Sequence, residues 1–219
     1  MATAGIGIPD INIELPDALE DAVAVEETIV DGVKTVDVAV EKTVVGAKVT
    51  VESGATTNIA GKKVKASKVA ATVEAGETAA VSFDTKVVKG SKIVIKGEGA
   101  GDVSFEEGTK VKSTKIKFKE DSADSVSFAD GTLVKDIKVK LGGGDDTITF
   151  GDVKLKGKNT VKLGKGDDTL EISSDTKVKK DAKIVVKDFE EGDTIKLDGE
   201  TIDVNSTDVP DFLVIKGLD

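Results

Sequence analysis

The chain has 219 residues, of which 38% are hydrophobic and 33% are charged, and this is enough apolar material for a buried core. It contains no His, Cys, Trp, Tyr, Arg or Gln, so all 31 basic residues are lysines. Because His and Cys are absent, the composition excludes Ser-His-Asp triads, thiol nucleophiles and the usual zinc, copper and haem sites. We therefore expect a protein that is not an enzyme.

The net charge of -10 argues against nucleic acid as a partner, since phosphate binding requires a basic field. Residues 1–33 carry eight carboxylates and no lysine, so nearly all of the negative excess lies in this N-terminal arm. No apolar segment approaches the roughly 18 residues of a membrane span, and the N-terminus lacks the pattern of a cleavable secretory signal. These features predict a chain without a membrane span that is soluble or leaves the cell by another route.

The acidic arm begins with two alternating segments, residues 6–8 and 11–15, which are typical of short strands. Neither segment has an obvious partner within the repeats that follow. Residues 16–31 predict a short amphipathic helix with Asp17 as its N-cap. We expect this helix to cover one end of the folded chain as a cap.

A repeat of about 22 residues follows the arm. Phe83, Phe105, Phe128 and Phe150 are separated by 22, 23 and 22 residues, and Ile172 lies another 22 residues on. A second column of apolar residues with nearly the same spacing contains Ile95, Phe118, Leu141, Leu163 and Val186. A third contains Val88, Val111, Leu133 or Val134, Leu155 and Val178. Residues 36–73 follow the pattern more loosely and predict two further coils.

Within each repeat the pattern has period two, as in residues 115–119, and this alternation indicates short strands with one inward face. Three such strands cannot bury their apolar face alone, whereas stacked repeats can. The sequence therefore predicts an all-β fold, a single parallel β-solenoid of the β-roll or β-helix type, over residues 34–199. A β-sandwich of short strands is the alternative, but three columns that keep their spacing through five repeats favour the solenoid.

Two glycine- and aspartate-rich segments, residues 142–148 and 164–170, lie 22 residues apart and would be stacked in a solenoid. Glycine permits tight turns, and aspartate supplies the anionic oxygen that Ca²⁺ prefers. Such pairs also occur in ordinary turns that bind nothing. We favour calcium because two carboxylates per turn, stacked in register, repel one another without a cation.

These segments resemble the calcium-binding nonapeptide G-G-x-G-x-D-x-U-x of the RTX (repeats-in-toxin) family. The matching positions are Gly142, Gly144, Asp146 and Ile148 in one segment and Gly164, Gly166, Asp168 and Leu170 in the other. The chain departs from the family pattern because Leu141 and Leu163 replace the first glycine and each coil carries one motif where the family usually has two. The resemblance implies Ca²⁺ between coils of a parallel β-roll and export by type I secretion.

We expect the metal ligands to come from these turns and from a third one. The candidate metal-binding residues are Gly142, Gly144, Asp145, Asp146, Gly164, Gly166, Asp167, Asp168 and Asp193. Asp124 is a weaker extension of the same column.

The C-terminal region strengthens the resemblance. Residues 186–197 are similar to the stretch that commonly closes RTX arrays, and residues 211–215 are similar to the acid-then-apolar ends of secreted members. The resemblance covers residues 141–219, and residues 200–219 would form a C-terminal cap and a tail that resembles a secretion signal.

Two outer surfaces have possible binding roles. A basic strip contains Lys92, Lys96, Lys115, Lys117, Lys119, Lys138, Lys140, Lys162, Lys183 and Lys187. It is explained either as a solvated face that prevents aggregation or as the acceptor of a neighbour's acidic arm. A column of hydroxyls, Ser82, Ser104, Ser127 and Thr149, is similar to the ladders of ice-binding solenoids.

Together these features predict a non-enzymatic structural protein, extracellular or at the cell surface. It would self-assemble into a calcium-stabilised filament, sheath or surface layer, and donation of an N-terminal strand between subunits is one route. Its partner would be itself, with a cell-surface polysaccharide as a second candidate. The alternatives are an extracellular binding module, either an adhesin or an ice-binding protein, that acts through a flat face, and the secretion-signal half of an enzyme.

Overall fold

A computed structural model of the chain describes residues 5–8, 11–14, 23–30, 33–51, 53–119, 121–206 and 209–217. These residues form 24 β-strands and no helix. Accordingly, no helix in the described ranges is long and apolar enough to cross a membrane. Parallel strands stack on their counterparts in the next turn, which makes the protein an all-β parallel β-solenoid of about seven turns. This part of the predicted fold class is confirmed.

The strands are numbered in chain order. Three precede the first turn, namely β1 (Gly5–Ile8), β2 (Ile11–Glu14) and β3 (Val23–Val30). The first three turns have two strands each, which are β4 (Val33–Val45) and β5 (Lys48–Val51), β6 (Ala55–Lys65) and β7 (Lys68–Val73), and β8 (Thr78–Lys89) and β9 (Lys92–Gly97).

The next four turns have three strands each. They are β10 (Ala100–Phe105), β11 (Lys110–Lys112) and β12 (Lys115–Phe118), then β13 (Ser125–Phe128), β14 (Leu133–Lys135) and β15 (Lys138–Lys140), then β16 (Thr147–Phe150), β17 (Lys154–Lys156) and β18 (Lys158–Lys162), then β19 (Thr169–Ile172), β20 (Lys177–Val178) and β21 (Lys183–Lys187). The last strands are β22 (Thr194–Leu197), β23 (Glu200–Thr201) and β24 (Leu213–Ile215).

The strands of the later turns form three faces of a rod. Face 1 consists of β10, β13, β16, β19 and β22, and face 2 consists of β11, β14, β17 and β20. Face 3 consists of β5, β7, β9, β12, β15, β18, β21 and β24. Strand β8 covers faces 1 and 2, because residues 78–83 pair with β10 and residues 87–89 pair with β11. Strand β6 covers the same two faces, since its residues 63–65 pair with residues 87–89 of β8. In most strands from β4 to β22, alternate residues point inward and form the core.

The aromatic column at the centre of the core is confirmed. Phe83, Phe105, Phe128 and Phe150 pair in register on face 1, and all four are fully buried. Their ring centroids lie 5.1, 5.0 and 4.9 Å apart with interplanar angles of 12°, 3° and 10°. Such offset stacks add about 0.5–1.5 kcal/mol per pair beyond the burial of apolar area.

The face 2 column is also confirmed, and the structure resolves its ambiguous position. Val134 pairs with Val111 and is buried, whereas Leu133 pairs with Lys110 and is partly exposed. The face 3 column is wrong at its last step, because Val186 pairs with Val161 and not with Leu163. The cause is a longer connection in the seventh turn, where eight residue steps separate Val178 from Val186 and six separate Leu155 from Val161.

The predicted N-terminal helix is wrong where the structure describes it. Residues 23–30 form β3, which pairs antiparallel with β4 over its whole length. The segment alternates, with Val23 buried and Ala24 and Glu26 exposed, and its β-branched residues suit a strand. Pairing with the edge of β4 stabilises all eight residues as a strand. A short isolated helix would not gain this stabilisation. Residues 15–22, which include the predicted N-cap Asp17, lie outside the described residues.

The two short N-terminal strands do have a partner. Strand β1 pairs antiparallel with β2, and β2 pairs antiparallel with β5 of the first turn. Ile13 of β2 is buried in the core, and Lys48 forms an ion pair with Glu14 across the two strands. At the opposite end of the rod, β24 extends face 3 by pairing with β21.

Candidate functional site

The turn between faces 3 and 1 contains every predicted metal-binding residue. Successive turns lie directly on one another, since Gly143 forms parallel bridges with Asp121 below and Lys165 above. Glycine is required here by the close approach of neighbouring backbones. Gly166 has φ +116°, and a Cβ atom added to it would lie 2.4 Å from the carbonyl oxygen of Gly144. A Cβ atom added to Gly144 would likewise lie 2.5 Å from the carbonyl oxygen of Ser122.

The inner aspartates of these turns form one hydrogen-bonded stack, which we call the aspartate column. It consists of Asp124, Asp146, Asp168 and Asp193. Each Oδ1 accepts a hydrogen bond from a backbone N–H of the preceding turn: Gly101 to Asp124 at 2.7 Å, Asp124 to Asp146 at 2.7 Å, Asp146 to Asp168 at 2.9 Å, and Asp168 to Asp193 at 2.9 Å. The column therefore links five turns of the solenoid through side-chain-to-backbone bonds.

Asp124, Asp146 and Asp168 are buried and Asp193 is partly exposed, and the loss of solvent raises the pKa of all four. Asp146 and Asp168 are each 1% exposed. The pKa of Asp146 is raised to about 8, mainly by burial; the neighbouring carboxylates of Asp124 and Asp168 also raise it, and the hydrogen bonds from backbone N–H groups lower it. Burial likewise raises the pKa of Asp168 to about 7 and that of Asp124 to about 6, and it raises the pKa of Asp193.

The Oδ2 atoms of the aspartate column differ in the hydrogen bonds that they accept. Oδ2 of Asp146 accepts a hydrogen bond from Gly142 N–H at 3.3 Å, and Oδ2 of Asp193 accepts one from Glu190 N–H at 2.8 Å. Oδ2 of Asp168 is buried and has no hydrogen-bond partner among the described residues. A buried carboxylate oxygen without a donor is costly, so this atom suits either a proton or a cation.

Asp145 and Asp167 belong to the same turns but lie outside the column. Both are exposed, and Oδ1 of Asp145 accepts a hydrogen bond from the backbone N–H of Asp167 at 2.9 Å. Oδ1 of Asp167 lies against the backbone of Gly192 in the next turn. The paired aspartates predicted as one group of ligands are thus divided into a buried column and an exposed pair.

The fit of these turns to Ca²⁺ is partial. Calcium requires six to eight oxygen ligands. Across the ranges that the structure describes, no group of three or more acidic side chains converges as a metal site. Most carboxylate oxygens of the column already accept backbone hydrogen bonds, and Oδ2 of Asp168 is the atom that best suits a cation. The stack of hydrogen bonds is a sufficient structural role for the remaining aspartates.

The predicted lysine strip is part of a larger basic surface. Lys92, Lys115 and Lys138 pair in one column, and Lys117, Lys140 and Lys162 pair in another. Sequence reasoning missed a further column that ends face 2, formed by Lys65, Lys89, Lys112, Lys135 and Lys156. The sequence does contain a signal for this column. A pair of lysines, one on each side of a short turn, recurs in residues 89–92 and 112–115.

We call the lysines on both sides of the corner between faces 2 and 3 the lysine ridge. Its nine members are Lys65, Lys89, Lys112, Lys135 and Lys156 of face 2 and Lys68, Lys92, Lys115 and Lys138 of face 3.

The hydroxyl column is in register on the outer side of face 1, where Ser82, Ser104, Ser127 and Thr149 pair in sequence and Glu171 follows. A second column on the same face contains Ser125, Thr147, Thr169 and Thr194. Face 1 therefore presents two parallel rows of hydroxyl groups.

Comparisons of the chain with protein-family models, with curated proteins and with solved structures give no match. The class that the fold defines is the parallel β-solenoid. The resemblance to RTX proteins stays a prediction from the motifs in residues 141–219.

Proposed function

We propose that the protein is a non-enzymatic, exported structural protein that self-assembles end to end into a filament, sheath or surface layer. The observation that carries the proposal is that the rod ends in edge strands. Export and a location outside the cell or at its surface rest on the RTX resemblance, and the non-enzymatic role rests on the absence of His and Cys.

In the part of the chain that the structure describes, both ends of face 3 are open to pairing. Among the described residues, β1 pairs only with β2 and β24 pairs only with β21, so each leaves one edge of backbone N–H and C=O groups unpaired. Such edges are templates for strands of another chain. The same sheet ends in an antiparallel hairpin at one end of the rod and a parallel strand at the other, and joining the two would continue face 3 from one molecule into the next.

The N-terminal hairpin is the candidate for strand donation. In one molecule β2 pairs with β5, and exchange would transfer the hairpin of β1 and β2 to the edge of β24 in a neighbour. Such donation would give the free edge of β24 a backbone partner, as in the addition of a strand to an exposed sheet edge.

Deletion of residues 1–15 tests the assembly mechanism. We expect the truncated chain to remain folded, because β3 to β24 keep every pairing except that of β5 with β2. It should sediment as a monomer under conditions in which the full chain polymerises. A circular dichroism spectrum and a thermal melt control for folding. Polymers of unchanged length in electron micrographs of the truncated chain would refute strand donation.

We propose further that Ca²⁺ stabilises the assembly at the glycine–aspartate turns. The unpartnered Oδ2 of Asp168 and the exposed carboxylates of Asp145 and Asp167 support this proposal. A cation bound only to the folded state at 100 times its dissociation constant adds about 2.7 kcal/mol to stability. Equal melting temperatures in millimolar Ca²⁺ and in EGTA would exclude calcium.

The alternative is a binding module that acts through face 1, as an adhesin or an ice-binding protein. The two rows of hydroxyls on a flat sheet favour this function, although Glu171 and Lys196 interrupt one row. Thermal hysteresis and retention on ice test it directly. Loss of either activity in a Thr147→Lys, Thr149→Lys variant, with assembly unchanged, would support the alternative.

A further inference from the structure

The lysine ridge is a long array of uncompensated charge. All nine side chains are exposed or partly exposed. Within the part of the chain that the structure describes, Lys135 is the one member of the ridge with an ion pair, at 3.9 Å to Asp136. The ridge extends over five turns, from the strand that contains Lys65 to the strand that contains Lys156.

Stacked lysines at directly paired positions repel one another. The repulsion recurs at every turn, with a rise of about 4.8 Å set by the spacing of hydrogen-bonded strands. A single counter-ion reduces the repulsion between the lysines of one pair of turns only. A partner that carries negative charge at the same rise along a line reduces the repulsion at every turn that it spans.

The protein itself carries such a line at the corner between faces 1 and 2. Glu107, Asp130 and Asp152 form an acidic ladder, with one exposed carboxylate in each of three consecutive turns. The turns that hold them are stacked, since Gly108 N–H donates to the carbonyl of Asp130 at 3.3 Å and Gly131 N–H donates to that of Asp152 at 3.1 Å.

The ladder and the ridge lie at opposite edges of face 2 in the same turns. Glu107 precedes β11 and Lys112 ends it, and the same order holds for Asp130 with Lys135 and for Asp152 with Lys156. Among the described residues, none of the three acidic side chains forms an ion pair. Oδ1 of Asp130 accepts a hydrogen bond from the N–H of Asp152 at 2.9 Å, and Oδ1 of Asp152 accepts one from the hydroxyl of Ser173. Because both side chains are exposed, their second oxygens can still pair with lysines of another molecule.

We propose that the acidic ladder of one molecule binds the lysine ridge of a second copy, so that rods pack side by side. This inference rests on the proposed structural function and specifies its lateral contact. Both arrays belong to the same solenoid and share one rise, so rods that are in register at one turn are in register at the next. The contact is heterologous and leaves one free ridge and one free ladder, so growth continues into a layer.

Charge reversal tests the contact. A ridge variant carries Lys89→Glu, Lys112→Glu and Lys135→Glu, and a ladder variant carries Glu107→Lys, Asp130→Lys and Asp152→Lys. We expect the unaltered chain to form laterally packed rods in about 10 mM salt, where the Debye length is about 30 Å, and to separate into single rods in about 1 M salt, where it is about 3 Å. Each variant alone should stay as single rods in low salt.

Mixing the two variants in equal amounts should restore lateral packing, because the reversed ridge then faces the reversed ladder. Sedimentation velocity and the width of the assemblies in electron micrographs measure the effect. The matched control is Lys96→Glu, Lys117→Glu, Lys140→Glu on face 3, away from the corner, which should pack like the unaltered chain. Failure of mixing to restore packing, or unchanged packing in either single variant, would overturn the proposal.

Two further outcomes separate related hypotheses. If polygalacturonate binds the unaltered chain but not the ridge variant, while lateral packing is the same in both, the ridge is a polysaccharide site and our proposal is wrong. If variants keep filaments of normal length but lose width, the lateral contact is supported independently of how rods join end to end. Filaments that are absent while side-by-side pairs persist would count against the end-to-end function and in favour of the lateral contact.

Discussion

The backbone N–H of Asp146 donates a hydrogen bond of 2.9 Å to Oδ1 of Asp168, one turn further along the solenoid. The carboxylate of Asp146 in turn accepts from the N–H of Asp124 at 2.7 Å. Asp124, Asp146 and Asp168 each donate to the turn above through the backbone N–H and accept from the turn below through the side chain. This reciprocity ties the turns together at the corner between faces 3 and 1, and it places titratable carboxyl groups in the core.

The first prediction concerns pH. The pKa values of Asp124, Asp146 and Asp168 in the folded protein are about 6, 8 and 7, above the ordinary value of 3.8. Raised values mean that the folded state holds protons that the unfolded state has released. The contribution of these three groups to the free energy of unfolding is therefore greatest below about pH 4, and this contribution is lost as the pH rises through 6 to 8.

In EGTA, we expect the melting temperature at pH 5 to exceed that at pH 8 by at least about 5 °C, since one pKa unit corresponds to about 1.4 kcal/mol and each kcal/mol to about 2–4 °C for a chain of this size. Saturating Ca²⁺ should reduce the difference if the ion neutralises the column. An equal or higher melting temperature at pH 8 in EGTA would contradict the prediction.

The second prediction concerns Asp168→Asn. This change removes a buried negative charge and retains the Oδ1 acceptor for Asp146 N–H, and Oδ2 has no hydrogen-bond donor to lose among the described residues. In EGTA at pH 8 the variant should melt a few degrees above the unaltered chain. If Ca²⁺ binds at this oxygen, the variant should also lose its response to the ion.

Two matched variants serve as controls for the melting temperature of Asp168→Asn. Asp146→Asn should be less stable than Asp168→Asn, because its new amide group would face the N–H of Gly142. Asp145→Asn, at an exposed position, should melt within about 1 °C of the unaltered chain. If all three variants melted at the same temperature, the difference between the buried column and the exposed pair would have no energetic consequence.

The third prediction concerns the aromatic stack. Phe128→Ala removes a fully buried ring that stacks on Phe105 at 5.0 Å and on Phe150 at 4.9 Å. It should lower the free energy of unfolding by about 3–5 kcal/mol, as expected for a large cavity. Phe83→Ala is the comparison, because Phe83 stacks on Phe105 on one side and pairs with Ile59 on the other. Urea denaturation measures both, and a loss below about 1 kcal/mol for Phe128→Ala would show that the core is loosely packed.

The fourth prediction separates backbone conformation from close approach at glycine. Gly108 and Gly166 both have positive φ, at +75° and +116°, but a Cβ at Gly108 would meet no atom within 4 Å, whereas one at Gly166 would meet Gly144 O at 2.4 Å. Gly108→Ala should cost about 1–2 kcal/mol from φ alone. Gly166→Ala should cost clearly more and should disrupt the stacking of the turns. Equal costs in urea denaturation would mean that the turn can shift to accept a side chain.

The sequence alone determined the β-solenoid and its central column. A coil that returns to the same place after about 22 residues must repeat its inward residues at that spacing, and the recurrence of Phe83, Phe105, Phe128 and Phe150 therefore reports the stacking directly. The seventh turn departed from the predicted column because a longer connection moved Val186 into register with Val161.

Tertiary structure decided what the local pattern left open. Residues 23–30 are compatible with an amphipathic helix or a strand, and pairing with β4 selected the strand. Neighbouring aspartates such as Asp145 and Asp146 are chemically identical, and their register relative to the turn below buries one and exposes the other. A shift of one residue in a strand or turn reverses which side chain points inward, and only the packed turns supply the contacts that choose between the two.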